Sequence, residues 1–350
     1  MSSEMMGAPC RRPSLTVVVC CYNGAEGLEA TLAALKAQTV AEQVDILVVD
    51  DGSTDGSADV ARGAGARVVV HPINQGLAAA RNTGLRSALG DLVAFTDDDC
   101  LPEPRWLECL LDAVERHPGA FAWGGPAVAV ESPGWVSAYL RHADPMAPLE
   151  RSLLDDDGFV HRLRQYLLRN GAQAPAGERE VASVAGANMM LRRELALEIG
   201  GYDERFRFGG EEEELFRRVV RAGHQVVFVP DAQVRHRYLG TLSDTIRRSR
   251  AYGRGNARMR AKHPDLLPTI YPAPVLVAGL LAGGIRRPAL MLVAVVLPQV
   301  LFSRWVRKAA TQRKPIMLTY PYIQLLQEAA SNLGWIDFLR KERRSFDKAH

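Results

Sequence analysis

The stretch Val48-Val49-Asp50-Asp51-Gly52-Ser53-Thr54-Asp55-Gly56-Ser57 joins the end of a β-branched apolar run to a turn rich in carboxylates and glycine. Two carboxylates held side by side repel each other unless they share a cation or a proton. The glycine allows a tight turn, and the hydroxyls can cap a following helix. The stretch therefore predicts a strand whose acidic tip suits a base or ribose, although a well-capped helix start would use the same residues.

Similar units fill the first hundred residues. Apolar runs that predict buried parallel strands lie at residues 15–20, 46–49, 68–70 and 92–95, and helical patterns separate them at residues 28–37, 58–64 and 77–88. This alternation is typical of an open α/β sheet. In such sheets ligands bind beyond the carboxyl ends of the strands. The strand ends carry Cys20, Tyr22, Asn23, the Asp50-Asp51 pair and the run 97–99, so we expect these residues to share one crevice.

The remainder of the chain has a different organisation. A helix at 105–116, an apolar strand-like run at 121–130, a core segment at 184–191, a helix at 211–222 and a strand at 225–229 are predicted. Residues 141–180 are polar and predict helix and mobile loop, with the acidic run 155–157 as a solvated loop. We predict a disordered tail at 1–13, one domain at 14–240 with halves 14–117 and 118–240, and a helical region at 241–350.

Composition narrows the possible functions. The 350 residues carry a formal net charge of +3, which gives no global reason to expect nucleic acid as a partner. The five cysteines form no metal-ligand spacing, and no apolar leader opens the sequence, which favours a reducing cytoplasm. Neither Gly-x-Gly-x-x-Gly after Val19 nor Gly-Lys-Ser/Thr anywhere is present, which argues against a dinucleotide fold and a P-loop.

The triplet Asp97-Asp98-Asp99 is the candidate metal site. Carboxylates at positions i and i+2 of extended backbone point to the same side, so Asp97 and Asp99 can act together. Oxygen ligands of this kind suit Mg²⁺ or Mn²⁺, which could bridge a diphosphate. His236 is a further candidate ligand, although a lone histidine is more often structural. An acidic loop without a metal is the alternative.

Two further segments contain candidate site residues. The segment 71–84 includes Asn74, Gly76 and Arg81, and Arg81 could meet a phosphate or tether the loop that carries Asp97. Four consecutive glutamates open the helix predicted at 211–222, more than its dipole requires. Crowding raises carboxylate pKa values, which suits a general base, and Glu211 and Glu212 are both candidates.

The C-terminal region combines basic and apolar segments. Seven basic residues lie between positions 247 and 262 without an intervening acid, so an anion is expected nearby. The apolar runs 273–284 and 289–302 are each shorter than the roughly 20 residues of a spanning helix and enclose Arg286-Arg287. We predict a re-entrant or interfacial hairpin whose basic flanks face anionic headgroups. A buried helical hairpin of a soluble protein is the alternative.

Seven motifs in order resemble those of family 2 glycosyltransferases of GT-A fold. They are VVVCCYNG (17–24), VVDDGSTDGS (48–57), NQGLAAARNTG (74–84), FTDDDC (95–100), GANMMLRRE (186–194), GGYDERF (200–206) and GGEEEELFRRVVRAGH (209–224). The resemblance implies an open mixed sheet flanked by helices and metal-assisted, inverting transfer of a sugar from a nucleotide diphosphate. It also implies a C-terminal helical tail of the membrane-associated kind.

The resemblance assigns roles to individual positions. Donor contacts are implied for the strand-end and helix residues Cys20, Tyr22, Asn23, Asp50, Asp51, Asn74, Gly76, Arg81, Asp97 and Asp98, and metal contacts for Asp97, Asp99 and His236. The family usually has Glu-Asp where this chain has Glu211-Glu212, and the register puts the base at Glu212, with Glu211 as the alternative. Mg²⁺ or Mn²⁺ is the implied cofactor.

The expected partners follow from this assignment. The donor is a nucleotide-diphosphate sugar, and the acceptor is a glycan, a lipid-linked saccharide or a small molecule. We expect a cytoplasmic protein at the inner face of the cell membrane, with peripheral or re-entrant membrane contact and no nucleic acid partner. A nucleotidyltransferase that makes nucleotide sugars and a non-catalytic membrane-surface scaffold are the rival interpretations.

Overall fold

The computed structural model describes residues 14–151, 158, 160, 163–164, 166–167 and 176–348. The predicted tail at 1–13 and the acidic run 155–157 lie outside the described residues. The strands within the described part of the chain are β1 Leu15–Cys21, β2 Val44–Asp50, β3 Arg67–Val70, β4 Leu92–Asp97, β5 Cys100–Pro102, β6 Ala122–Gly124, β7 Ala127–Ala129, β8 Arg179–Val181, β9 Met189–Arg192, β10 Val226–Phe228 and β11 Val234–His236.

The helices come between and after these strands. Numbered through the described residues, they are α1 Ala25–Lys36, α2 Ser57–Gly63, α3 Leu77–Ser87, α4 Trp106–Arg116, α5 Trp135–Ala143, α6 Arg193–Glu198, α7 Glu211–Arg221, α8 Leu242–Lys262, α9 Pro272–Gly284, α10 Ala289–Leu301, α11 Ser303–Gln312, α12 Tyr320–Asp337 and α13 Arg343–Lys348. Short 3₁₀ turns at Ala41–Gln43 and Pro315–Thr319 and a π-helical turn at Phe338–Glu342 complete the set.

The main sheet has the mixed α/β topology that the sequence predicts. Its strand order is β3-β2-β1-β4-β9-β6-β10-β8, and β5, β11 and β7 form a second, three-stranded sheet. Strands β1 to β4 are parallel to one another, whereas β9 is antiparallel to both β4 and β6. The predicted parallel α/β half is confirmed, and β1 lies in the middle of it.

Strand β1 is buried on both faces, which explains its unbroken apolar sequence. Val17 and Val19 pack into a core cluster with α1 and α4, while Val18 and Cys20 pack into the cluster on the opposite face with α3 and α7. The sheet therefore separates two cores.

The apolar run predicted at 121–130 is divided between two sheets. The chain leaves β6 at Gly125, where a Cβ atom would lie 1.9 Å from the carbonyl oxygen of Ala232. Pro126 follows and offers no N–H for a ladder, and β7 then pairs with β11. The prediction of one continuous run was wrong because it ignored this break. Most of the apolar residues of the core segment predicted at 184–191 are buried, and its last three residues belong to β9.

The C-terminal helices pack closely against the sheet domain. Helix α8 crosses α12 at Gly253, where a Cβ would lie 2.0 Å from the carbonyl oxygen of Ser331. Its Gly255 meets the carbonyl oxygen of Gly209 in the same way, at 2.2 Å. Glycine at these positions lets two backbones approach more closely than any side chain would allow. Helix α8 therefore lies directly behind the loop that precedes α7.

Most of the basic charge on α8 is paired within the protein. Arg250 bonds Asp337, Arg258 bonds Glu342, and Lys262 bonds both Asp203 and Glu214. These carboxylates come from α12, from the turn that follows it and from the sheet domain. The basic side chains therefore find acidic partners although the run 247–262 itself contains no acid. The anion expected near residues 247–262 is thus supplied largely by the protein's own carboxylates.

The apolar segments form a helical hairpin, α9 and α10, with many exposed side chains. Ile285 is 80% exposed, Leu292 69% and Val300 64%. Among the described helices, none is by itself long and apolar enough to cross a membrane, and one pair, Ala289–Leu301 with Ser303–Gln312, meets the length and composition criteria only when taken together across a 67° bend. This exposure does not support the alternative of a buried helical hairpin.

The glycine contact between α8 and α12 gives a stability prediction. We expect Gly253→Ala to lower the free energy of unfolding by about 1–3 kcal/mol, because the added methyl group must displace the backbone at Ser331. Chemical denaturation followed by circular dichroism measures this change.

Gly279→Ala is the matched control, because Gly279 is also a helical glycine but a Cβ added there would meet no atom of the described residues within 4 Å. It should leave stability unchanged or raise it by up to about 1 kcal/mol. Equal effects of the two substitutions would contradict the close crossing of α8 and α12.

Candidate active site

The loops at the carboxyl ends of β1 and β2 are joined by hydrogen bonds. The backbone N–H of Asn23 donates to Ser53 Oγ at 2.9 Å, and the N–H of Thr54 donates to Asn23 Oδ1 at 2.9 Å. Asn23 has a φ of 52°, a left-handed conformation that asparagine tolerates. Tyr22 is consequently held outward, 52% exposed, at the tip of β1. The ring is available to a planar ligand.

Asp51 organises the next loop. Its Oδ1 lies 2.7 Å from His71 Nδ1 and accepts the N–H of Gln75 at 2.9 Å, while its Oδ2 accepts the N–H of Gly76 at 2.8 Å. The side chain is 3% exposed. These contacts use most of the carboxylate's acceptor capacity. Its nucleotide contact stays a prediction, and its observed contacts all lie within the protein.

Three other predicted donor contacts are occupied or buried. Asp50 is buried and accepts the N–H of Ser53, Asn74 accepts a hydrogen bond from Arg207, and Cys20 packs in the core between β1 and α3. Burial raises the pKa of the Cys20 thiol well above its usual range. The contacts of these residues in the structure lie within the protein, and their donor contacts stay predictions.

Gly76 is required by the close approach of the loop that carries Arg207. Its φ is +101°, and a Cβ would lie 2.9 Å from the carbonyl oxygen of Arg207. The N–H of Leu77 donates to that same oxygen at 2.8 Å. The start of α3 is therefore fixed against the loop that leads into α7.

The aspartate triplet separates into two groups. The expected extended backbone through 97–99 is not observed, because β4 ends at Asp97 and Asp98 and Asp99 form the turn that follows. Ligand atoms of Asp97 and Asp99 gather with those of Cys100 and His236, all within 4.8 Å of one another. Asp98 faces the other way and packs against Gly24: a Cβ added at Gly24 would lie 1.9 Å from Asp98 Oδ2. Burial raises the pKa of Asp98 to about 7, and the carboxylates of Asp99 and Asp97 contribute further.

The residues of this cluster fit a divalent metal. His236 is 1% exposed, its Nε2 lies 3.4 Å from Asp99 Oδ1, and its Nδ1 finds no hydrogen-bond partner among the described residues. Burial raises the pKa of Asp99, and His236 opposes this shift. Two carboxylates suit Mg²⁺ or Mn²⁺, and an imidazole nitrogen favours the transition metal. Burial raises the pKa of the Cys100 thiol well above its usual range, and the carboxylates of Asp97 and Asp99 contribute further.

Arg81 connects this cluster to the glutamates of α7. Its side chain is buried, with Nη1 2.9 Å from Glu211 Oε1 and 3.8 Å from Glu212 Oε2, and Nη2 3.8 Å from Asp97 Oδ1. A Cβ on Gly186 would lie 2.2 Å from Nη2, so glycine is needed there to admit the guanidinium. The sequence left open whether Arg81 meets a phosphate or tethers the loop that carries Asp97. The observed contacts are with protein carboxylates, which corresponds to the tethering role.

The two candidate bases occupy different environments. The Glu211 side chain is 3% exposed and that of Glu212 is 23% exposed. Burial and then the Glu212 carboxylate raise the pKa of Glu211 to about 8, against the opposing effect of Arg81. Glu212, the more accessible carboxylate, is better placed to meet a substrate.

Glu214 has a structural role. It lies under α7 with a fully buried side chain and accepts hydrogen bonds from Arg218 and Lys262. These partners and His263 lower its pKa to about 2, although burial alone would raise it. The acidic run 211–214 therefore contains one paired buried residue at each end, with the solvent-accessible Glu212 and Glu213 between them.

Two residues at the metal cluster were missed from the sequence. Tyr238 stacks on His236 with ring centroids 4.3 Å apart, and Arg248 of α8 lies over Tyr238, 5.6 Å from its ring centroid. Arg248 Nη2 is also 3.8 Å from Asp99 Oδ2. The basic run 247–262 was a visible signal, but only the fold selects which of its members reaches the site.

Comparison with known proteins assigns the chain to a family. The family model described as "Glycosyl transferase family 2" matches residues 16–200, more than half of the 350 residues. The chain belongs to glycosyl transferase family 2. A second family model, "N-terminal domain of galactosyltransferase", matches residues 168–239. The predicted family is therefore confirmed, and the site described above lies within the matched segments apart from Arg248.

Two curated relatives of this family 2 member come from Mycobacterium tuberculosis. A pre-mycofactocin glycosyltransferase is 32% identical over 289 residues, which cover 80% of this chain. The aligned part spans 56% of the length of that relative. An N-acetylglucosaminyl-diphospho-decaprenol L-rhamnosyltransferase is 29% identical, with 63% of this chain and 75% of the relative covered.

A solved structure supports the fold. A mannosyltransferase from Pyrobaculum calidifontis, in complex with GDP-Man and Mn²⁺, matches with a TM-score of 0.53 and 22% identity, covering 93% of this chain and 88% of that one. The predicted GT-A architecture is confirmed. The match extends over nearly the whole chain, so it includes much of the C-terminal helical region. The predicted domain boundaries stay predictions.

The ion pair between Arg81 and Glu211 gives a second prediction. We expect Arg81→Met to lower the free energy of unfolding by on the order of 3 kcal/mol at a pH of about 9, above the pKa of Glu211, because the ionised Glu211 then loses its buried cation. Adding Glu211→Gln to that variant should recover part of the loss, since no buried charge is then left unpaired. A double-mutant cycle in urea measures the coupling, expected at about 1 kcal/mol or more.

Arg86→Met is the control, because Arg86 lies on the same helix but is exposed. Its cost should stay within about 0.5 kcal/mol. Simple additivity of the Arg81 and Glu211 substitutions would refute the coupling.

Proposed function

We propose that this chain is an inverting glycosyltransferase that moves a sugar from a nucleotide-diphosphate donor to an acceptor hydroxyl. The observation that carries the proposal is the pair of carboxylates on either side of Arg81. Glu212 and Asp97 each lie 3.8 Å from the same buried guanidinium, so a solvent-accessible base and a candidate metal ligand adjoin. Membership of glycosyl transferase family 2 supports this reading.

The residues divide the work of a single displacement. Asp97, Asp99 and His236 would hold the metal, which supplies positive charge to neutralise a departing diphosphate. Glu212 accepts the proton of the acceptor hydroxyl, and Arg81 and Glu211 fix its position. Attack comes from the face opposite the leaving group, so an α-linked donor gives a β-linked product. The exposed Tyr22 ring is the proposed contact for the nucleobase of the donor.

Mn²⁺ is the proposed ion, because the donor set includes an imidazole and the mannosyltransferase of similar fold was solved with Mn²⁺. The proposed acceptor is a lipid-linked or cell-surface glycan. The name of the decaprenol-linked rhamnosyltransferase relative supports a lipid-linked one. Acceptor choice is proposed for residues 141–180, most of whose middle part lies outside the described residues.

Glu212→Gln tests the base. We expect kcat for sugar transfer to fall by on the order of 10² to 10⁴-fold, while donor affinity stays nearly unchanged, because the amide cannot take a proton but fits the same space. Binding of UDP-, GDP-, dTDP- and CDP-sugars with Mn²⁺ and with EDTA is measured by calorimetry, and release of nucleoside diphosphate gives the rate.

Glu213→Gln, the exposed neighbour in the same turn, should keep its activity. Full activity of Glu212→Gln would remove Glu212 as the base. Release of pyrophosphate from a nucleoside triphosphate and a sugar phosphate would favour the nucleotidyltransferase interpretation. Failure of every nucleotide sugar to bind with Mn²⁺ would favour the scaffold.

We further propose that the hairpin α9–α10 rests on the inner face of the cell membrane. Exposed apolar side chains cover it, and Arg286 and Arg287 at its turn are exposed beside them. Burial of such side chains in the lipid interface and attraction of arginine to anionic headgroups act in the same direction. The four described cysteines are free thiols, which suits a cytoplasmic location.

Vesicle binding tests this contact. The double variant Leu292→Glu, Val296→Glu places two carboxylates on the exposed face of α10, where these residues are 69% and 48% exposed. We expect co-sedimentation with phosphatidylglycerol-containing vesicles to fall at least about five-fold, because charge replaces apolar area.

Leu89→Glu is the control, since Leu89 is 72% exposed but lies at the far end of α3. It should bind vesicles as the unmodified protein does. A wild-type protein that ignores vesicles and instead forms a dimer disrupted by the double variant would show that a second copy covers the hairpin.

A further inference from the structure

We propose that Arg248 of α8 binds the diphosphate of the donor, so that the C-terminal helical region completes the active site. This inference rests on the proposed function and deepens it. The sequence offers no reason to select Arg248 among the seven basic residues between 247 and 262. The position of Arg248 beside Asp99 in the structure gives that reason.

The helix that carries Arg248 is fixed in place. Thr241 caps its start by accepting the N–H of Asp244 at 3.2 Å. At its middle, Gly253 and Gly255 contact the backbones of α12 and of the loop at Gly209. An arginine on such a helix reaches its target with little freedom left to lose, which favours binding of a defined ligand.

The side chain of Arg248 is held on two sides. Its Nε donates to Asp244 Oδ2 at 3.0 Å, and its guanidinium lies over the ring of Tyr238. Nη2 ends 3.8 Å from Asp99 Oδ2, beyond hydrogen-bond distance. The guanidinium is therefore oriented by contacts at Nε and at its face, while its Nη2 lies toward Asp99 of the metal cluster.

The balance of charge around the metal cluster indicates what the guanidinium of Arg248 binds. A divalent metal on Asp97 and Asp99 would add two positive charges next to Arg248, which shares Asp244 with Arg247, so the three carboxylates cancel only three of the four positive charges. An anion that contacts both cations removes the repulsion between them. A diphosphate has oxygens for both, and a guanidinium binds phosphate oxygens through paired N–H donors.

Neighbouring arginines do not share this geometry. Arg247 pairs with the same Asp244 but its side chain is 72% exposed, and Arg250 pairs with Asp337 on α12. Arg247 is thus a matched control: it has the same chemistry, the same helix and the same acidic partner, but points to solvent.

Calorimetry on the full chain with three probes tests the proposal: Mn²⁺ alone, Mn²⁺ with inorganic pyrophosphate, and Mn²⁺ with orthophosphate. Arg248→Gln should weaken Mn²⁺–pyrophosphate binding at least about ten-fold and leave the affinity for Mn²⁺ alone unchanged or higher, since a neighbouring cation is gone. Arg247→Gln should match the wild type with every probe. Arg248→Lys, which keeps the charge but loses the fork, should lie between.

Each other outcome has a defined meaning. Unchanged pyrophosphate affinity in Arg248→Gln would overturn the proposal, as would an equal loss of affinity for Mn²⁺ alone, which indicates that Arg248 only supports Asp99. Should Arg248→Gln fail to fold, Arg248→Lys decides, and wild-type affinity would overturn the proposal. If the wild type transfers sugar while these variants bind pyrophosphate normally, the inference about Arg248 fails and the proposed function stands. If the wild type itself does not bind Mn²⁺–pyrophosphate, the proposed function is overturned as well.

Discussion

The buried guanidinium of Arg81 is the contact on which the arrangement of the site depends. It joins α3 to the start of α7 and to the end of β4, because Glu211, Glu212 and Asp97 all lie within 4 Å of it. A buried arginine is tolerated only when carboxylates surround it, and the carboxylates in turn need the arginine. Gly186 leaves the space that the guanidinium fills. The candidate base and the candidate metal ligands therefore keep their spacing through one shared cation.

A second constraint comes from the close packing of α8. Glycines at its crossings with α12 and with the loop at Gly209 bring backbones into contact, and carboxylates from several elements neutralise its arginines. The helical region after residue 240 is thus part of the framework that supports α7. The same region carries the exposed apolar side chains of α9 and α10. The helical region after residue 240 therefore contributes both to the candidate active site and to the surface proposed for the membrane.

The loops at the strand ends show how a motif can serve structure and function together. Asp51 accepts two backbone N–H groups and contacts His71, and Asn23 joins the loop after β1 to the loop after β2. These bonds explain why such residues occur at the tips of strands even before a ligand is considered. They also restrict the surface open to a nucleotide, on which Tyr22 is 52% exposed.

The sequence by itself determined the elements and the family. Apolar runs and helical periods predict β1 to β4 and α1 to α3 because these patterns are local, and seven ordered motifs indicate glycosyl transferase family 2. The spacing of the triplet indicated Asp97 and Asp99 as partners, although a turn after β4, and not extended backbone, brings them together and separates Asp98. Only the tertiary structure decided that Glu211 is buried and Glu212 accessible, that Cys20 belongs to the core, and that Arg248 reaches Asp99. Those outcomes depend on partners far away in the sequence, and packing rather than local pattern sets which of several similar side chains meets them.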